Sequence, residues 1–229
     1  MPTNVNVNNL ETFICNTLKD QIINLDLLPG VKLSEAKIAA LYGCSRSPVR
    51  AAFYELRVKG YLDSRPQVGS FVSKIDLDKV EEIRFVRESV ESAVLRFGIE
   101  NKLFVSKIPL LQANINEMIV AYEQKNMKHF TELDIMFHNI LYTAAGKAFV
   151  SKYCGDDDVH YCRLRFMVTR EGGNIERTIN EHTQILDLIR NDSTEQIDTL
   201  VSLHLNNIYN FLGKKVLTDA EMFVGGRAN

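Results

Sequence analysis

The sequence predicts a mainly α protein built from two modules, residues 1–75 and residues 76–229. Three observations lead there. Leu10, Phe13, Ile14, Leu18, Ile22 and Leu25 recur at helical spacing and stop at Pro29–Gly30. Two shorter helical patterns and two β-type runs follow before Ile75. Beyond it, amphipathic helical patterns succeed one another across short breaks, with no strand pattern among them.

The elements of the first module can be justified in turn. Ser34 can cap a short helix carrying Ile38 and Leu41, which Gly43 ends. A third helix runs from about Ser45 to Lys59 and stops at Gly60. "YLDS" and "SFVSKI" flank the turn "RPQVG", the pattern of a hairpin. Three helices followed by a hairpin is the order of a winged helix-turn-helix. In the second module the patterns place six helices near 76–98, 105–124, 127–145, 148–170, 175–191 and 193–215, with a loose tail at "GGRAN".

Composition excludes some function classes and leaves others open. The 229 residues carry a net charge of −2, which does not announce a nucleic-acid binder. The distribution is more informative: nine Lys/Arg against six Asp/Glu in residues 1–75, and eighteen against twenty-three in the remainder. That is a basic module joined to an acidic one. The four cysteines lie far apart without a C-x-x-C, so no disulfide framework or zinc knuckle is visible. A polar start and the lack of any run near the ~18 apolar residues of a membrane span lead us to expect a cytoplasmic protein with reduced thiols.

On the third helix, Val49, Ala52, Phe53 and Leu56 form one stripe, which must face a core, and Arg46, Arg50, Tyr54 and Arg57 form another. Ser45 or Ser47 can cap the helix, and Pro48 fits its first turn. Free amides, hydroxyls and two arginines at a helix start suit phosphate oxygens and guanine edges. Gly69, flanked by Arg65 and Gln67, offers a loop that can approach a DNA backbone closely.

The run "LPGVKLSEAKIAALYGCSRSPVRAAFYELRVKGYLDSRPQVGSFV" resembles the DNA-binding domain of the GntR family of bacterial transcription regulators. The shared features are the Pro-Gly, the Leu-Ser-Glu helix start, Ser-Arg-x-Pro-Val-Arg, Leu-x-x-x-Gly and the Gly-x-Phe-Val wing. The resemblance implies DNA contact by Ser45, Arg46, Ser47 and Arg50, with Gly69 at the wing tip. Ala51 and Cys44 replace residues common in the family, and Ala36 stands where some relatives carry a further arginine.

The second module aims ionisable groups inward. Asp134 and His138 sit four residues apart on the stripe of Phe130, Leu133, Phe137 and Leu141. His182 keeps company with Ile185, Leu186 and Ile189, and His204 with Leu200, Val201, Ile208 and Phe211. Buried carboxylates need a partner or a cation, and Asp134, His138, His182 and His204 make an N₃O ligand set. Zn heads the candidates for such a set, with Ni, Fe, Cu and Mn as other divalent choices. A hydrogen-bonded core network is the plainer reading.

"LDIMFH", "EH" and "HL" look like the metal-binding signature of the all-helical FCD effector domain in FadR-type GntR regulators, and "VRESVESAV" looks like that domain's first helix. The resemblance implies those four residues as ligands and a small carboxylate metabolite completing the metal's shell. Arg87, and Arg163 or Arg165, are candidates to anchor that acid. The expected protein is a homodimeric, metabolite-responsive regulator on a two-fold symmetric DNA operator, a repressor by the family's commoner habit. Its rivals are a sensor of the metal ion itself, a metal-dependent enzyme, and a domain whose metal is purely structural. No further inward Glu or His placed as a general base is visible in the sequence.

Overall fold

A computed structural model of the chain describes residues 7–156, 158–173 and 175–226. The chain divides into two compact units. One runs through Asp76 and takes back the C-terminal segment from Asp219, and the other is Leu77–Thr218.

In the first unit, α1 (Val7–Ile23) packs on α3 (Arg46–Val58), with α2 (Glu35–Leu41) beside it. The apolar stripe of α3 is buried as expected: Val49, Ala52, Phe53 and Leu56 are all at most 1% exposed. They meet a layer containing Ile14, Leu18 and Ile22. Ser34 caps α2, its hydroxyl accepting from the amide of Lys37. Ser45 is the N-cap residue of α3, but its hydroxyl makes no capping bond.

The wing has one strand more than the two the sequence suggested. Strands β2 (Leu62–Arg65) and β3 (Gly69–Val72) form the hairpin, and β1 (Lys32–Leu33) adds to the free side of β3. Two residues are too short to show a period-2 pattern. Gly69 is not the wing tip. It pairs with Arg65 at the base of a three-residue loop, Pro66–Gln67–Val68, whose centre Gln67 has φ 60°.

Two further departures concern the second module. Phe223–Val224 (β5) pairs in parallel with β4 (Ile75–Asp76), so residues 219–226 belong with the first unit rather than the helical one. Phe223 is 6% exposed and Ile75 fully buried, an apolar contact that a two-residue pattern does not announce. Residues 227–229 of the tail expected to be loose lie outside the described residues.

The helical unit comprises α4 (Leu77–Glu100), α5 (Ile108–Glu123), α6 (Met127–Ala144), α7 (Val159–Arg170), α8 (Ile175–Arg190) and α9 (Ile197–Thr218). The segment expected as one helix over 148–170 is divided. A 3₁₀ stretch ends at Tyr153, Gly155 turns the chain at φ 78°, and Asp158 caps α7 by accepting from the amides of His160 and Tyr161. Every residue from Tyr161 to Thr169 is buried, so α7 is covered on all sides by its neighbours. The main core joins Leu95, Phe104, Leu111, Phe137, Leu141, Leu186 and Val201 from α4, α5, α6, α8, α9 and the turn after α4.

Candidate metal and ligand site

Helical spacing puts Asp134 and His138 on one face of α6, one turn apart. Packing brings α8 and α9 across that face, so His182 and His204 meet them. One ligand atom from each of the four residues lies within 4.8 Å of every other. Nε2 of His204 is 3.3 Å from Nε2 of His138, and Nε2 of His182 is 3.5 Å from Oδ1 of Asp134. His182 is fully buried and stacked on Phe137 at 4.0 Å between ring centroids, which fixes its plane.

A second set of residues, which sequence reasoning missed, holds the imidazoles. Nδ1 of His138 is 3.2 Å from Oε2 of Glu91, and Nδ1 of His204 is 3.0 Å from Oε2 of Glu181. The sequence offered no inward Glu, yet both are buried, 3% and 4% exposed. A carboxylate on one ring nitrogen orients a metal-ligating imidazole and favours the tautomer whose other nitrogen is free to coordinate; here that other nitrogen, Nε2, faces the cluster in both rings. Glu91 also accepts from Nε of Arg87 and from the Tyr142 hydroxyl, each at 2.7 Å. Glu181 accepts from Nε of Arg177 at 2.7 Å. Burial works against the charge on Glu91, and Arg87 with His138 outweighs it, holding the carboxyl well below its ordinary range.

The charges suit a cation. Burial resists ionisation of Asp134, but the positive charge around it outweighs that and holds its carboxyl below the ordinary range. Burial, reinforced by His204, pushes His182 well below its ordinary value, so it is neutral. Neutral imidazoles and an ionised carboxylate are the forms that coordinate metal. Both ring nitrogens of His182 are buried without a hydrogen-bond partner. Such orphaned groups are rare in native interiors unless an ion or ordered water meets them. The donor set, the carboxylates that hold its rings and these orphaned atoms fit a metal ion.

Beside the cluster is a cavity of about 60 Å³ lined by Arg87, Asp134, Arg165, Thr169, His204 and Asn207, among others. About 10–15 Å³ of such space holds one water, so a molecule of a few heavy atoms fits. Arg165 is 7% exposed, and its Nε and Nη1 have no hydrogen-bond partner. Nη1 lies 3.9 Å from Asp134 and 3.8 Å from Asp156. Arg87 also lines the cavity, but its guanidinium is committed to Glu91 and to the Tyr161 hydroxyl at 2.6 Å.

Arg163 does not line the cavity. Two residues along a helix turn the side chain about 200°, so it points away from Arg165. Its Nε donates to the Val159 carbonyl at 2.9 Å.

In the first unit the structure leaves Ser45, Arg46, Ser47 and Arg50 exposed along the start of α3. Nε of Arg50 reaches Oε2 of Glu35 at 3.4 Å, in an exposed pair that contributes little and yields readily.

A winged module with an exposed cationic helix start, joined to a helical unit with a buried polar site, defines a class: transcription regulators that pair a winged DNA-binding module with a second, helical domain. Comparison with known proteins gives the family. Residues 10–72 match the family model of bacterial regulatory proteins of the gntR family, and residues 82–207 match that of the FCD domain.

The chain belongs to the GntR family, with an FCD domain, and is a transcriptional regulator rather than an enzyme. It is 28% identical over 195 residues, 85% of each chain, to the HTH-type transcriptional repressor RspR of Escherichia coli K12. Over 204 residues, 79% of this chain and 88% of the other, it is 24% identical to the galactonate operon transcriptional repressor of the same strain. Among solved structures, E. coli McbR/YncC superimposes with a TM-score of 0.69 at 20% identity, covering 90% of this chain and 98% of that one. A GntR regulator from Rhodococcus gives 0.68 at 20% identity, covering 89% and 97%.

Proposed function

We propose that this regulator is a repressor whose helical unit reads a small organic acid at a divalent metal centre. Asp134, His138, His182 and His204 would hold the ion. Three imidazoles and one carboxylate favour Zn, with Ni, Fe or Mn as alternatives. The ion would supply an electrophilic position for an acid's oxygen. Arg165 is the anchor for the rest of the acid, since it lines the same cavity, its Nε and Nη1 make no hydrogen bond within the protein, and a guanidinium suits a carboxylate fork. Arg87 supports the site through Glu91 and Tyr161 rather than by reaching the ligand. The observation that carries the reading is this juxtaposition of a complete ligand set and a buried, unsatisfied guanidinium.

On DNA, the exposed start of α3 would enter the major groove, with Ser45 and Ser47 on phosphate and Arg46 and Arg50 on base edges or phosphate. Two copies, joined as a homodimer, would address a two-fold symmetric operator. Relatives named as repressors, one of a galactonate operon, support repression as the direction of control. The acid can shift DNA affinity only through its different affinity for the two states of the protein.

Fluorescence anisotropy tests this reading. Metal-loaded protein bound to DNA from its own promoter region is titrated with a panel of small mono- and dicarboxylates and sugar acids. One or more should release the DNA, and none should do so with Arg165→Met. A metal ion that itself changes DNA affinity, with every acid inert, would establish the ion as the signal instead.

A further inference from the structure

The outer face of the wing carries two cations that the recognition helix does not account for. In the three-stranded sheet Lys32, Phe71 and Asp63 stand opposite one another, and Arg65 stands opposite Gly69. Partners across an antiparallel pair share a face, as do residues two apart along a strand. These five therefore lie together, while Leu33, Leu62 and Val72 of the other face are buried. Lys32 and Arg65 are exposed. The Arg65 guanidinium lies 4.3 Å from the centre of the Phe71 ring, and the Lys32 ammonium lies 6.0 Å from it.

Gly69 has a part in this arrangement. Its φ is +133°, and a Cβ there would lie 3.0 Å from Cε of Lys32 and 3.7 Å from its Nζ. The glycine leaves the gap across which the lysine side chain passes.

We propose that Lys32 and Arg65, held over Phe71, form a phosphate clamp on the wing, and that Gly69 serves it by making room for Lys32 rather than by touching DNA. The proposal rests on the reading that the winged unit binds DNA. A guanidinium stacked on an aromatic ring keeps its N–H edge free while losing rotamer freedom beforehand. Both cations then meet a phosphate with less ordering left to do. Asp63 is the opposing charge on that face, next to Phe71 and two residues from Arg65, and it limits the attraction.

The test is anisotropy with the full-length protein and a mixed-sequence DNA duplex across a salt series. Each phosphate contact contributes a salt slope of about 0.9, roughly eightfold in affinity at ~0.1 M salt. Lys32→Ala and Arg65→Ala should each lose about that factor and flatten the slope by about 0.9, without changing preference among sequences. Asp63→Asn should tighten binding, and Gly69→Ala, which crowds Lys32 and puts a side chain at φ +133°, should weaken it. Both cations are exposed, so their removal leaves the fold intact, which circular dichroism checks.

Wild-type affinity and slope in Lys32→Ala and Arg65→Ala, beside weakened binding in Arg46→Ala, would overturn the clamp and leave the helix reading standing. Indifference of all three would overturn the DNA interface as a whole. Loss in Lys32→Ala with none in a folded Gly69→Ala would overturn the part assigned to the glycine.

Discussion

Glu181 holds His204 by its Nδ1 at 3.0 Å, and the next residue along α8, His182, enters the cluster itself. Neighbours on a helix diverge by about 100°, so one turn of α8 supplies a ligand and, through Glu181, the orientation of a ligand on α9. The Arg177 guanidinium, 2.7 Å away, fixes Glu181 in turn.

Removing Glu181 leaves all four candidate ligands in place but frees one ring. Glu181→Ala is expected to weaken metal binding roughly 10- to 100-fold, read by competition with a chromophoric chelator. Affinity equal to wild type would mean that His204 is not a ligand, or that its ring is oriented by something else.

Arg165 separates ligand recognition from metal binding. In Arg165→Met an unsatisfied buried guanidinium gives way to an apolar chain of similar length. The metal-loaded variant should keep its ion and lose at most a few degrees of melting temperature: no hydrogen bond from Nε or Nη1 goes, the ion compensates Asp134, and only the long ion pair to Asp156 at 3.8 Å is given up. It should no longer respond to acids. A drop in melting temperature of more than a few degrees would show that Arg165 is structural.

Gly98 is a packing position, not a flexible one. A Cβ there would stand 2.0 Å from Cζ of Phe104, whose ring is fully buried. Alanine gains about 1 kcal/mol in helix propensity, but overpacking of a closed core costs about 1–3 kcal/mol and sometimes more. Gly98→Ala should therefore destabilise the helical unit in urea denaturation, and Phe104→Leu in the same chain should recover part of the loss. A stabilised Gly98→Ala would show that the ring can move aside.

His129 of α6 pairs with Glu117 of α5 at 3.0 Å and with Glu132 of its own helix at 3.4 Å. Its pKa is raised above 6.5, chiefly by Glu117 and then by Glu132. A raised pKa means that the link is fully present below 6.5 and lost as pH rises through the folded value. The pair is exposed, so the effect on stability is small. An NMR titration should place the His129 midpoint above 6.5, and Glu117→Gln should bring it down. A midpoint at or below 6.5 in the wild type would contradict the pairing.

What could be read from the sequence follows from periodicity. The stripe of Val49, Ala52, Phe53 and Leu56 and the i,i+4 pair Asp134/His138 announced the recognition helix and the ligand helix. His182 and His204 could be read because each sits in an apolar run where a polar residue is out of place. Glu181 offered no such anomaly, since a glutamate beside a histidine on an amphipathic helix reads as its solvent edge. Only the approach of α9 buries it. Arg163 and Arg165 could not be told apart because α7 is buried on every side, and no polar face remains to orient it. The β1 and β5 strands are two residues each, and pairing with distant partners defines them.

Everything proposed for the helical unit depends on Asp134, His138, His182 and His204 forming one metal centre. Elemental analysis with native mass spectrometry on protein purified without added metal tests it most directly. About one divalent transition metal per chain is expected, absent from the His182→Gln/His204→Gln double variant while that variant remains folded. Metal-free protein that takes up no Zn, Ni, Fe or Mn on titration would contradict it and leave the four side chains as a buried polar network.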